Sequence, residues 1–490
     1  MQETTSIVPR LVVAAPQGRS GKTTLTLGVC AALSRRGLQV QPFKKGPDFI
    51  DPSWLSAAAG RACRSLDPYF LEADTVQHGK QRLRVALFRG SRDADVTVIE
   101  GNHGLYDDSH GDGAGSTAAV ARALGAPVLL VINAARMARS AAAMVLGYVQ
   151  FEPDTHIAGV ILNNVAHPRH AASLSRAIRN SCDIPVVGAL PRAANLSIPD
   201  RHLGLVPPGE DEALMPAIEA CRQAVEQNVA LDTILEIARQ AGALHLSSES
   251  RPPQPPTPKE AGLASIVIGV FRDQAFSFYY PENLEALQYA GADLVFIDSL
   301  NEPHLPAVDG LYIGGGFPEV FMEKLEANGS LRREVHRAAQ AGLPVYAECG
   351  GLMYLSRAIH WQNRPAGLPG QTHRTSAQMA GVLPVDVALY DRPQGHGYVL
   401  AETRWKNPLF PAGSRLRGHE FHHSRLVDLD PHLPAAYHLT KGKGLGDGRD
   451  GLVYRNVLAS YTHLHAHGAP DWAACFVAAA RGSSGPGAWE

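Results

Sequence analysis

The chain has 490 residues, too many for one ordinary hydrophobic core, so two or three domains are expected. Hydrophobic residues at 45% and charged residues at 19% suit a soluble globular enzyme and exclude global disorder. A net charge of −2 offers no basic field to nucleic acid, so none is expected as a partner. The six cysteines are scattered without a C-x-x-C pair, which is neither a disulfide framework nor a zinc site and suits a reducing cytoplasm. No apolar run reaches the length of a membrane span, and the polar start runs straight into a strand, so neither a signal peptide nor a membrane contact is expected.

Leu11 to Ala15 is a short apolar run, followed by a glycine-containing loop and a helical stretch from Thr23 to Arg36. Strand, loop and helix in that order open an α/β unit. Similar runs recur at 96–99, 127–132 and 157–162, with a helical pattern from Ser116 to Leu124 between two of them. They are continuous rather than alternating, as strands of a parallel sheet buried on both faces are. Residues 247–262 are rich in Pro, Ser and charge and read as a linker. It divides a first domain, 8–246, from a second, 263–482, whose strands are expected at 265–271, 294–297, 310–313 and 344–347.

Gly21-Lys22-Thr23-Thr24 stands between the first strand and the first helix, where a phosphate-binding loop belongs. Backbone N–H groups there cradle phosphate, the lysine neutralises it and a hydroxyl reaches Mg²⁺. The match to G-x-x-x-x-G-K-[ST] is incomplete, because Pro16 takes the place of the first glycine and Gly18 lies inside the loop. Gly18, Gly21, Lys22, Thr23 and Thr24 are the expected ATP contacts. Glu100 ends a buried strand at the edge where ligands bind in open α/β sheets, and Asp48 lies in a Gly/Pro loop after a second strand. With Thr23 they make the expected Mg²⁺ set, since that ion takes one or two carboxylates with phosphate and water. The plainer reading makes Glu100 a solvated loop acid.

Cys349 follows a strand and is flanked by Gly350 and Gly351, with an apolar helix behind it. That is the layout of a nucleophile elbow, in which a sharp turn exposes the thiol and nearby N–H groups hold an oxyanion. The expected oxyanion donors are Gly350 and, from the loop after an earlier strand, Gly315 and Gly316. His463 follows another strand-like stretch and is the expected base. A lone cysteine is otherwise a small buried hydrophobe, and it is the surrounding turn that reverses this reading. His419, His422, His423, His465 and His467 invite a metal reading, but their spacing matches no zinc pattern.

Six blocks in order resemble the cobyrinate a,c-diamide synthase family: 42–52, 100–107, 201–205, 276–283, the Cys349 elbow and 418–424. The resemblance implies an α/β fold in two parts, a dethiobiotin synthetase-like P-loop ATPase domain with a mostly parallel sheet and a class I glutamine amidotransferase domain. It implies that L-glutamine supplies ammonia through Cys349 and His463, and that ATP activates the a and c side-chain carboxylates of a tetrapyrrole polycarboxylate. Asn163 resembles the family's adenine-reading amide, and Asp48, Phe49 and Asp107 fall where the family positions substrate carboxylates. Homodimers occur among relatives of both domains, so the resemblance leaves that assembly open.

Two departures stand out. Class I glutaminases usually carry an acid two residues after the histidine, where this chain has His465, so a weaker orienting shell is expected. Lys45 replaces an apolar residue of the usual corrinoid enzymes, and with Trp54 and Asn102 it resembles members that amidate sirohaem. A second lysine suits a polycarboxylate, unless it is merely solvated. Two other readings are a MinD/ParA-like regulatory switch, whose second loop lysine is Gln17 here, and a glutaminase-like binding domain without catalysis.

Overall fold

The computed structural model describes residues 4–71, 76–108, 111–193, 196, 210–246, 265–364, 374–405, 407, 409–427 and 429–482. The expected linker at 247–262 and the block 201–205 lie outside the described residues. Among those described, the chain forms two compact units, one before residue 247 and one after residue 264.

The first unit is built on seven strands: β1 (Arg10–Ala14), β2 (Val40–Lys44), β3 (Arg64–Ser65), β4 (Val96–Glu100), β5 (Val128–Asn133), β6 (Ile157–Val165) and β7 (Val186–Pro191). Their order across the sheet is β3-β2-β4-β1-β5-β6-β7, and every pairing is parallel. Helices α1 (Lys22–Arg35), α2 (Ile50–Ala59), α3 (Thr117–Leu124), α4 (Ser140–Phe151) and α5 (Pro168–Cys182) connect them. The apolar runs of β1, β2 and β4 are buried at every residue, as two-sided coverage demands. Ser116 caps α3 by accepting from Ala119 N at 3.1 Å, which fixes where the helix begins. Arg10 is fully buried within β1 and gives its guanidinium to the carbonyls of Leu124 and Val8 at 2.8 and 2.9 Å. A cation in this core is tolerated because backbone oxygens replace its water.

The second unit has a ten-stranded sheet and a separate four-stranded one. The large sheet contains β8 (Ile266–Phe271), β9 (Ala292–Ile297), β10 (Gly310–Ile313), β11 (Val345–Glu348), β12 (Gly395–Thr403), β13 (Arg415–His422), β14 (Ala435–Lys441), β15 (Arg449–Tyr454), β16 (Val457–Ser460) and β17 (His463–Leu464). Its order is β9-β8-β10-β11-β16-β15-β14-β12-β13-β17, parallel from β9 to β16 and antiparallel beyond. Two apolar clusters form its core, one centred on Leu311, Leu352 and Tyr461 and the other on Tyr312, Leu458 and Trp472. Cys349 and the loop after β10 follow the carboxyl ends of parallel strands, which share one edge, while His463 lies in β17.

Candidate functional site

In the first unit the loop from β1 to α1 enters the helix through Gly21, whose φ of 95° is open to glycine at little cost. A Cβ there would also stand 2.0 Å from the Asn163 amide nitrogen, so the residue must be glycine. Asn163 lies at the end of β6 and donates its amide to Ser20 O at 3.0 Å, which ties it to the phosphate loop. Lys22 Nζ donates to His103 O at 2.7 Å and Gln17 O at 3.2 Å. Burial and the nearby Lys44 lower its pKa to about 8, while Glu100, Asp51 and Asp107 oppose them.

Glu100 is fully buried, so the solvated-acid reading fails. Its Oε1 accepts from Thr23 Oγ1 at 2.9 Å and from Lys44 Nζ at 2.7 Å, while Oε2 has no hydrogen-bond partner among the described residues. Lys44 also pairs with Asp51 at 2.7 Å. Burial would discharge this lysine, but Asp51 and Glu100 hold its pKa well above the usual range. Asp48 joins the same network through Asp51. Burial, and then the Asp51 charge, raise its pKa to about 6, and Ile50 N caps its Oδ1 at 2.8 Å. Lys44 and Asp51 are the residues that the sequence reading missed, although both sit in the block 42–52.

These groups fit a magnesium ion in one respect, the orphaned Oε2 of Glu100 beside the Thr23 hydroxyl. Among the described residues no three His, Cys, Asp or Glu side chains converge as a metal cage. Phe49 starts α2, and Asp107 accepts from Gly104 N at 3.1 Å and lies close enough to raise the Lys22 pKa. Lys45 is 4% exposed, so it is not solvated. Its pKa is lowered by burial, and Asp67 and Asp108 offset that effect. Trp54 is also buried, in α2.

In the second unit β11 ends at Glu348, and Cys349 turns into the helix α6 (Gly350–Leu355) with φ 47° and ψ −97°. A left-handed cysteine is strained, and here the turn is held by Cys349 N donating to Ser460 O at 2.7 Å. The elbow expected from the sequence is thus present. Burial, and next the Glu319 charge, push the thiol's pKa far up, so it rests protonated and needs a base. Gly350 backs onto the loop after β10, where a Cβ on it would stand 3.0 Å from Gly316 N. Gly316 has φ 156°, and a Cβ there would run into Ala275 O at 2.0 Å. Gly315 lies against His463, whose Cε1 would be 2.4 Å from a Cβ at that position. The loop, the turn and His463 therefore come together in one place.

An acid does face His463, at ion-pair rather than hydrogen-bond distance. Glu348, the residue just before the nucleophile, places its Oε2 3.7 Å from His463 Nδ1. Its oxygens accept from Tyr346 Oη at 2.7 Å, Leu464 N at 3.0 Å and Tyr312 Oη at 3.1 Å, so the acid is firmly held. The acid comes from the end of β11 rather than from the turn after the histidine. His465 instead faces Glu282 at 3.7 Å. His419 stacks on His463 with ring centroids 5.0 Å apart, and burial pushes its pKa well below the usual histidine range.

Residues 11–206 match the family described as the CobQ/CobB/MinD/ParA nucleotide binding domain, and residues 267–470 match the CobB/CobQ-like glutamine amidotransferase domain. A cobyrinate a,c-diamide synthase of Magnetococcus marinus is 43% identical over 95% of this chain and 96% of its own length. The chain belongs to the cobyrinate a,c-diamide synthase family. Members from Archaeoglobus fulgidus, 40% identical over 94% of each chain, and Methanosarcina acetivorans, 39% identical over 96% of this chain and 95% of its own, bear the same name. The amidotransferase match covers the half of the chain for which a MinD/ParA-like switch has no use.

Proposed function

We propose that the chain is a carbon–nitrogen ligase that uses ATP and glutamine to convert the a and c carboxylates of cobyrinate to amides. The observation that carries this reading is the Cys349–His463–Glu348 arrangement in a chain whose other unit holds a phosphate loop and a buried carboxylate network. His463 takes the Cys349 proton, and the sulfur attacks the glutamine side-chain amide. Gly315, Gly316 and Gly350 offer N–H groups to the oxyanion that forms. The C–N bond then breaks, the His463 proton leaves with ammonia, and water hydrolyses the thioester to glutamate.

In the first unit a substrate carboxylate attacks the γ-phosphorus of ATP and ADP departs. Ammonia attacks the resulting acyl phosphate, phosphate leaves and the amide remains. Gly18, Gly21, Lys22, Thr23 and Thr24 hold the phosphates, and Asn163 is assigned to the adenine. Thr23, Asp48 and Glu100 would hold Mg²⁺, which when bound offsets the charge on the phosphates. Asp48, Phe49 and Asp107, with Lys45, are assigned to the acceptor. The six cysteines, none of them in a disulfide, support a cytoplasmic setting.

The burial of Lys45 favours a second acceptor, sirohaem, because the lysine that resembles sirohaem-amidating members is built into the site. Incubating the purified chain with ATP, magnesium, glutamine and either tetrapyrrole, then weighing the products, separates the two. The expected result is two amidations of cobyrinate. Products from sirohaem alone would reassign the acceptor, and no amidated product from either would overturn the ligase reading.

A further inference from the structure

Three carboxylates act on the Cys349 thiol: Glu319, Glu348 and Asp450. The fold itself satisfies two of them. Glu348 has the three donors described above, and Asp450 accepts from Thr462 Oγ1 at 2.6 Å, Thr462 N at 2.9 Å and Tyr461 N at 3.0 Å. Glu319 is different. It is 6% exposed, and its buried Oε2 has no hydrogen-bond partner among the described residues.

Glu319 is placed by the loop that brings Gly315 and Gly316 to the nucleophile. Pro318, just before it, has its Cδ 3.0 Å from where a Cβ on Gly350 would stand. Burial raises the Glu319 pKa to about 7, with its own backbone N–H as the opposing influence. A carboxylate left in this state costs stability, and buried polar groups without partners are retained mainly where a ligand or a reaction uses them. Glutamine offers three polar groups: the amide that reacts, an α-carboxylate and an α-ammonium. A carboxylate in the pocket repels the second and matches the third.

We propose that Glu319 forms an anionic subsite that accepts the α-ammonium of glutamine while the side-chain amide lies at Cys349. The inference rests on the glutaminase reading above. The ion pair does two things. It selects amides that carry an α-amino group, and it neutralises a charge that opposes the thiolate, so the nucleophile ionises more readily once its substrate is in place.

The test compares glutamine with glutaramate, which is glutamine without its α-amino group. Hydrolysis of each by the full chain is measured with ATP, magnesium and cobyrinic acid present, in the unaltered protein, Glu319→Gln and Glu319→Asp. Glu319→Gln is expected to lose about 30-fold or more in kcat/KM for glutamine, mostly through KM, with little change for glutaramate. The preference for glutamine then collapses, and Glu319→Asp falls between the two. An unchanged glutamine-to-glutaramate ratio in Glu319→Gln would overturn the subsite while leaving the glutaminase standing. Where that variant lacks a cooperative unfolding transition, Glu319→Asp decides, and an unchanged ratio there overturns the proposal. An unaltered chain that hydrolyses neither amide, yet uses ammonia for amidation, overturns the glutaminase reading and the subsite with it.

Discussion

The two reactive centres manage buried charge in opposite ways. Around Glu100 the carboxylates are matched by a buried side-chain cation, with Lys44 bridging Glu100 and Asp51 at 2.7 Å each. Around Cys349 the carboxylates Glu348 and Asp450 are held by hydroxyls and backbone N–H groups fixed in the sheet. The first arrangement can exchange partners, because a metal ion or phosphate can take over either end of an ion pair. The second cannot, and it suits the proposed transfer of one proton between a thiol and an imidazole. Breaking a buried ion pair strands a charge, whereas a carboxylate with several donors tolerates the loss of one.

The strongest way to break this contrast is to remove the nucleophile. Cys349→Ala is expected to lower glutamine-driven amidation by about 10⁴-fold or more while leaving ammonia usable as a nitrogen source. Parallel assays with the two donors check it. Next, Glu100→Ala should cost about 10³-fold with either donor, since it acts on the ATP half. It should also lower stability by about 3 kcal/mol, because Lys44 loses a buried partner. A loss confined to glutamine would contradict the placement of Glu100.

Glu348→Gln tests the fixed side, with an expected fall of about 10²-fold in glutamine kcat and little change in KM, as for an orienting acid. The smallest effect concerns stability. The Glu319 pKa is raised to about 7 by burial, so the cost of its charge is full above that pH, shrinks as the folded carboxyl protonates, and is gone below the unfolded value of about 4. Glu319→Gln should therefore stabilise the chain by about 2 kcal/mol or less at pH 8 and not at pH 4, read from urea unfolding at each pH.

The strands, the phosphate loop and the Cys349 elbow were legible in the sequence because each is local. Continuous apolar runs mark buried parallel strands, and the glycines around 21 and 350 mark where the chain must turn. Glu348 was hidden although it adjoins the nucleophile, because its tie to His463 depends on β11 lying beside β16. Lys44 and Asp51 escaped for a related reason. Their pairing with Glu100 exists only once β2 lies parallel to β4 in register, with Lys44 opposite Glu100. The burial of Lys45 is likewise set by the packing of its neighbours rather than by its own chemistry.

The pairing of β11 with β16 also has a consequence in time. Glu348 and Leu464, bonded across the site, are 116 residues apart in the chain, and His463 comes just before Leu464. A ribosome thus releases the thiol long before it releases the base. A nascent chain that stalls between them carries the cysteine without His463, so under the proposed mechanism glutamine is not spent until the chain has passed residue 463.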